Sequence, residues 1–211
     1  MTTIYLTRHG QTVWNVEGRM QGWKDSPLTD LGIQQSLWLR EKILGLDIDV
    51  IYSSISGRAI QTATIVKGDT DITIVEEPNL REIKLGDFQG LTQEEIKLQY
   101  NNQYNNYYNN PNLYMPIGDG ENFKELIDRS YKALLDIIYN NKDKRVLVIT
   151  HTMVIKSILC KLNNLEIDRF WDKPYIRQGS ITIIEEVNGI LEVKKSADIS
   201  HHRYVVKEFN E

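Results

Sequence analysis

An arginine, a histidine and a glycine stand together at Arg8-His9-Gly10, directly after the apolar, β-prone run Ile4-Tyr5-Leu6. Where a strand gives way to a loop, these three residue types suit a phosphate group. Arginine presents a planar fork of donors to phosphate oxygens. Histidine carries a nucleophilic nitrogen near neutral pH. Glycine lets the backbone approach a ligand closely. Alone, the tripeptide is equally at home in a surface turn, so its weight depends on the rest of the chain.

The pattern that must position such residues is an alternation of strands and helices. Thr3 to Thr7 reads as a first strand, and Asn15 to Leu28, with Gly18, Gly22 and Pro27, as a loop. Thr29 is placed to cap a helix running to about Leu44. Val50-Ile51-Tyr52-Ser53 is a short apolar strand, and Ser56 begins a helix through Ala59, Ala63 and Val66. Ile72 to Val75 and Arg145 to Thr150 are further strands, the last followed by a helix from Met153 to Leu162. Near the end, Ser180 to Val187 and Ile190 to Lys195 flank Asn188-Gly189, a hairpin signal. The order predicts an α/β three-layer sandwich: a mainly parallel mixed sheet, helices on both faces, and an antiparallel C-terminal edge hairpin.

One domain is expected over residues 1–211, with a helical cap insertion over about 91–141. Within it, Gln99 to Tyr114 is rich in asparagine and tyrosine. Tyr100, Tyr104, Tyr107 and Tyr108 share a helical face, yet asparagine is a poor helix former. A cover over one end of the sheet and a solvated loop are both compatible with this stretch.

In an open α/β sheet, ligands bind at the carboxyl ends of strands. Arg8 and His9 follow the first strand, and Arg58 lies just inside the helix after the second. Glu82 follows the third, and His151 follows the fourth. Each is unremarkable singly. Jointly they converge on one edge of the sheet.

Composition narrows the partners. The chain has 211 residues, 41% hydrophobic and 26% charged, with a formal net charge of −4. Such a balance excludes a global basic field, so no nucleic-acid partner is expected. No apolar run approaches membrane-span length, and the first residues lack the basic-then-apolar pattern of a secretion signal. The single cysteine, Cys160, rules out an intrachain disulfide and reads as a core residue. A cytoplasmic location is expected. His201-His202 is expected to hold no metal, because neighbours on a strand point to opposite faces.

The motifs together resemble the histidine phosphatase superfamily, in the branch of cofactor-dependent phosphoglycerate mutases and broad-specificity phosphatases. The resemblance spans nearly the whole chain. It rests on Leu6 to Asn15, on Gln21-Gly22-Trp23, on Asp25-Ser26-Pro27-Leu28-Thr29, on Ser53 to Ala63, on Leu80-Arg81-Glu82-Ile83 and on Gly120-Glu121-Asn122. It implies that His9 attacks phosphorus and becomes a phosphohistidine, while Arg8, Arg58 and a cationic His151 surround the transferring group. Glu82 would protonate the leaving oxygen and then activate water, which calls for a raised pKa. By the same resemblance Asn15, Gln21, Gly22 and Thr152 would touch the substrate or its phosphate. Neither cofactor nor metal is implied.

The implied partner is a small-molecule phosphomonoester, with inorganic phosphate as product. Three functions compete: a phosphomonoesterase, a phosphoglycerate mutase, and a catalytically dead phosphate-binding module. Mutases of the family tend to be longer, so the compact chain favours the phosphatase. One departure concerns Thr152, which stands where the family usually has glycine. If that position needs φ > 0, threonine is strained there. The aromatic residues at Tyr100 to Tyr114, with Trp14 and Trp23, suggest a bulky or aromatic leaving group.

Overall fold

The computed structural model describes residues 1–203. Six strands form one mixed sheet: β1 (Thr2–Arg8), β2 (Val50–Ser53), β3 (Thr73–Glu76), β4 (Arg145–Thr150), β5 (Ile181–Val187) and β6 (Ile190–Asp198). Their spatial order is β3-β2-β4-β1-β5-β6. The β3-β2, β2-β4 and β4-β1 pairs are parallel. The β1-β5 and β5-β6 pairs are antiparallel, and β5 and β6 form the edge hairpin around Asn188-Gly189. Both turn residues adopt positive φ (54° and 82°), as a tight hairpin turn requires.

Alternation along the strands sorts the core onto two faces. Ile4 and Leu6 of β1, with Val146 and Val148 of β4, join one apolar cluster. Tyr5, Leu147 and Ile149 point the other way into a second. This is the period-2 pattern of a sheet covered on both sides.

Helices α2 (Asp30–Ile43) and α3 (Gly57–Lys67) cover the second cluster through Leu39, Ile43, Ala59, Ala63 and Val66. Thr29 caps α2 by accepting from the Gly32 amide at 3.0 Å. A single turn, α1 (Val13–Val16), precedes it. On the opposite face lie α6 (Phe123–Asn140) and α7 (Thr152–Leu162), which pack on each other. Asn122 and Glu125 close the start of α6 with reciprocal side-chain-to-backbone bonds. Cys160 of α7 is buried, its thiol near Leu165 O.

Between β3 and α6 run two short helices, α4 (Gln93–Gln99) and α5 (Asn101–Asn109). The asparagine-rich stretch is therefore helical rather than a solvated loop. Its stability comes from aromatic packing, which outweighs the weak propensity of asparagine. Tyr107 is 2% exposed, with its ring centroid 5.1–6.3 Å from those of Phe88, Tyr114, Phe123 and Trp171. Among the described residues, no helix is long and apolar enough to cross a membrane.

Candidate active site

Strand register brings the two histidines together. Arg8 of β1 pairs with Thr150 of β4, and the His9 amide donates to Thr150 O at 3.0 Å. His9 and His151 each follow the end of a parallel neighbour. Their rings meet edge to face, with centroids 5.1 Å apart.

The protonation of His9 follows from its partners. Nδ1 lies 2.7 Å from Gly10 O. A carbonyl can only accept, so Nδ1 carries the hydrogen and Nε2 the lone pair. Arg58 Nε donates to that Nε2 at 3.2 Å. Burial, and after it the charges of Arg58 and Arg8, hold the ring well below its usual pKa. Both features favour a neutral imidazole whose Nε2 lone pair faces Arg58 Nε.

Arg58 is the second residue of α3 and is 1% exposed. Nη1 donates to Lys24 O (2.9 Å) and Asp25 Oδ1 (2.8 Å), and Nη2 donates to Gly22 O (2.9 Å). Gly22 sits at φ +55°, where a side chain would crowd Gln89 and Ile83 O. Only glycine takes that turn comfortably while its carbonyl faces Arg58. Gly57 is needed for another reason: an added Cβ would collide with the Asp25 carboxylate. Arg8, at the end of β1, donates from Nη1 to Ile176 O at 2.9 Å.

Glu82 lies in an irregular segment between β3 and α4. Its carboxyl accepts from the Ile83 amide (2.9 Å) and from the Met153 amide (3.2 Å) in the first turn of α7. Burial pushes its pKa up, against the opposing pull of those amides and of Arg58. His151 is fully buried, and Nε2 lies 2.8 Å from Ser54 Oγ. Burial and Arg58 hold its pKa well below the usual value. Burial thus favours the neutral ring, and the cationic His151 that the resemblance implies calls for the charge of a phosphate group.

Contacts join Arg58 to His9 and His9 to His151, Arg8 precedes His9 in the chain, Glu82 is tied to the Met153 amide two residues after His151, and Gly22 O accepts from Arg58. Thr152 begins α7 with Met153 next to it. It is absent from the residues with positive φ, so the expected backbone strain does not arise. A first helical residue has ordinary φ, which threonine adopts freely. Asn15 and Gln21 lie in the loop after β1 and hydrogen-bond to Thr12 there. Asn15 Oδ1 accepts from the Thr12 amide at 3.0 Å, and Gln21 Nε2 donates to Thr12 Oγ1 at 2.9 Å. Both brace the loop after β1.

His201 and His202 lie beyond the end of β6 in a turn, not on the strand, and their rings come together at 4.7 Å. The opposite-face argument therefore does not apply to them. Among the described residues, no group of three His, Cys, Asp or Glu side chains is arranged to hold a metal ion.

Sequence reading did not single out Asp25, Ser54 or Arg129. Asp25 and Ser54 lie inside motifs already noted, Asp25 to Thr29 and Ser53 to Ala63, yet their partners are distant in the chain. Arg129, on α6, had no local signal.

Residues 4–199 match the histidine phosphatase superfamily (branch 1). A metal-independent phosphoserine phosphatase of Arabidopsis thaliana is 35% identical over 164 residues, 77% of this chain and 69% of that protein. The "Probable phosphoglycerate mutase GpmB" of Yersinia pestis (strain Pestoides F) is 34% identical over 170 residues, 78% of this chain and 76% of that one. The solved structure of Bacillus stearothermophilus YhfR superposes with a TM-score of 0.93 at 40% identity, covering 95% of this chain and 99% of that one. The chain belongs to the histidine phosphatase superfamily.

Proposed function

We propose that the protein is a metal-independent phosphomonoesterase that works through a phosphohistidine on His9. The observation that carries this reading is the His9 ring: Nδ1 is held on Gly10 O, and Nε2 is presented beside Arg58. In the first step Nε2 attacks phosphorus and the bond to the leaving oxygen breaks. Glu82, whose pKa burial raises, gives that oxygen its proton. In the second step Glu82 takes a proton from water, the water oxygen bonds to phosphorus, and the N–P bond breaks to release inorganic phosphate. Arg8, Arg58 and His151 surround the equatorial oxygens, His151 gaining a proton as the phosphate charge arrives.

Gly22 and the start of α7 at Thr152 shape the phosphate cradle, while Asn15 and Gln21 brace the loop that carries it. The substrate is a small phosphomonoester of the kind named for the relatives, phosphoserine or phosphoglycerate. One domain over 1–211 with a helical cap over about 91–141 remains the reading, with the difference that α6, inside that range, packs into the cluster on one face of the sheet. The buried free thiol of Cys160 suits the reducing cytoplasm. The name of the Yersinia relative keeps a second reading in view, in which the phosphoryl group returns to a phosphoglycerate hydroxyl.

The test is phosphate release from p-nitrophenyl phosphate, phosphoserine and 3-phosphoglycerate with EDTA present, for wild type and His9→Ala, with mutase turnover followed alongside. Release that persists with EDTA and disappears in His9→Ala is the expected outcome. Isomerisation of phosphoglycerate without net release would replace the phosphatase with the mutase. If neither occurs, a phosphate-binding role remains.

A further inference from the structure

We propose that Arg129 of α6, paired with Glu121, is a positioning residue that sets the aim of Glu82. The inference rests on the reading of Glu82 as the general acid.

The guanidinium of Arg129 has all five N–H groups placed. Nη1 donates to Asn79 O (2.6 Å) and Arg81 O (2.9 Å), and Nη2 reaches Glu82 O (3.4 Å) and Glu121 Oε1. Nε donates to Glu121 Oε2 at 3.2 Å. Glu121 closes the other side: its Oε1 accepts from the Lys84 amide (2.9 Å), and its own amide donates to Lys84 O (2.8 Å). The backbone is thus tied at residues 79, 81 and 82, and again at 84, on both sides of the acid. Trp23 Nε1 adds a second donor to Glu82 O at 2.9 Å.

The surrounding segment needs such ties. Between β3 and α4 the chain has only two short 3₁₀ turns, Pro78–Leu80 and Gly86–Phe88. Where an irregular backbone is partly buried, its carbonyls must find donors outside itself. Arg129 and Glu121 are themselves mostly buried, at 17% and 14% side-chain exposure. Lysine supplies only three donors from a point charge and cannot reproduce the planar fork. A carboxyl displaced by an ångström no longer reaches the leaving oxygen, and such misplacements cost catalysis steeply.

The consequence is selective. An alkyl leaving group needs a proton from Glu82, whereas p-nitrophenolate departs readily without one. The experiment measures kcat/KM, which reports steps up to phosphoenzyme formation, for phosphoserine and p-nitrophenyl phosphate. It compares wild type, Arg129→Met, Arg129→Lys, Glu121→Gln and, as reference, Glu82→Gln, with thermal unfolding followed in parallel. In Arg129→Met, phosphoserine turnover falls about 10- to 100-fold, part of the ~10²–10⁴-fold that a general acid supplies, while p-nitrophenyl phosphate changes by less than about 5-fold. Arg129→Lys recovers part of the loss, and Glu121→Gln shows the same selectivity more weakly.

Equal losses on both substrates, or no loss on either, overturn the clamp. If Arg129→Met does not fold, Glu121→Gln and Arg129→Lys decide by the same ratio. If Glu82→Gln itself shows no selectivity while wild type is active, the general-acid reading falls, which is a separate result.

Discussion

Arg58 Nε donates to His9 Nε2 across 3.2 Å, in a guanidinium already held by Lys24, Asp25 and Gly22. The fork is therefore aimed before substrate arrives, with one Nη2 proton outside these bonds and the Nε proton shared with His9 Nε2. Arg58→Lys keeps a charge but loses the fork. It is expected to lower kcat/KM about 10²- to 10³-fold, the cost typical of one lost oxyanion donor, as read from initial rates of phosphate release.

Asp25 completes that aim. It accepts from both the Arg58 guanidinium and the Arg58 amide (2.8 and 3.3 Å). Gly57→Ala drives a methyl group into its carboxylate. The expected result is a raised KM and weakened inhibition by inorganic phosphate, with the sheet unaltered in circular dichroism. Unchanged KM in both Gly57→Ala and Asp25→Asn would remove Asp25 from the account.

Acid should destabilise the protein through its two site histidines. Burial holds both well below 6.5 in the folded state. Below that pH the unfolded chain takes up protons that the folded chain refuses, so stability falls as pH falls. Each histidine contributes at most about 1.4 kcal/mol per pH unit. Glu82, raised by burial, acts oppositely: its contribution is present at low pH and lost as pH rises above the ordinary 4.5. Denaturant titrations of wild type and His151→Ala between pH 7.5 and 5.5 should give a shallower fall for the variant.

Thr152→Gly restores the residue usual in the family. Because Thr152 starts α7 without positive φ, the change brings no relief of strain. Activity should stay within about 2-fold, and stability should drop by a few tenths to about 1 kcal/mol from the entropy of glycine, as measured by thermal unfolding. A large gain in kcat would show that the side chain obstructs the cradle.

The tyrosines of α5 test the idea of an aromatic leaving group. Tyr107 packs against five other aromatic rings. Tyr107→Ala should cost about 3–5 kcal/mol of stability, as large buried aromatics do. Preference between aryl and alkyl phosphates should not move. A changed preference in Tyr104→Ala with stability intact would assign the aromatic face to substrate.

Much of this arrangement was legible because β1 and β4 announce themselves as runs of alternating or β-branched apolar residues ending in Arg8-His9 and in His151. Period and capping residues locate such elements with no tertiary information, as Thr29 and Asn188-Gly189 also show. The tyrosine spacing revealed a helical face but not its target, since a stripe of rings fits a core and a binding wall alike. Asp25, Ser54 and Arg129 stayed hidden because each acts across the fold. Asp25 meets Arg58 33 positions away, and Ser54 meets His151 at 97. Arg129 reaches back 50 to Asn79. Nothing local distinguishes such residues from surface polar groups.

The register of β1 on β4 has a consequence for turnover. Adjacent strands lie about 4.8 Å apart, and the two imidazoles emerge one residue past a paired position, with centroids at 5.1 Å. Their separation is inherited from the hydrogen-bond spacing of the sheet itself. The entropic cost of bringing nucleophile and neighbour together is borne once, during folding, rather than at each encounter with substrate. Warming or loop substitution can disturb the acid on its irregular segment well before it disturbs the histidine pair. The first failure of this enzyme on heating should therefore be lost proton delivery, with the site still able to capture phosphate.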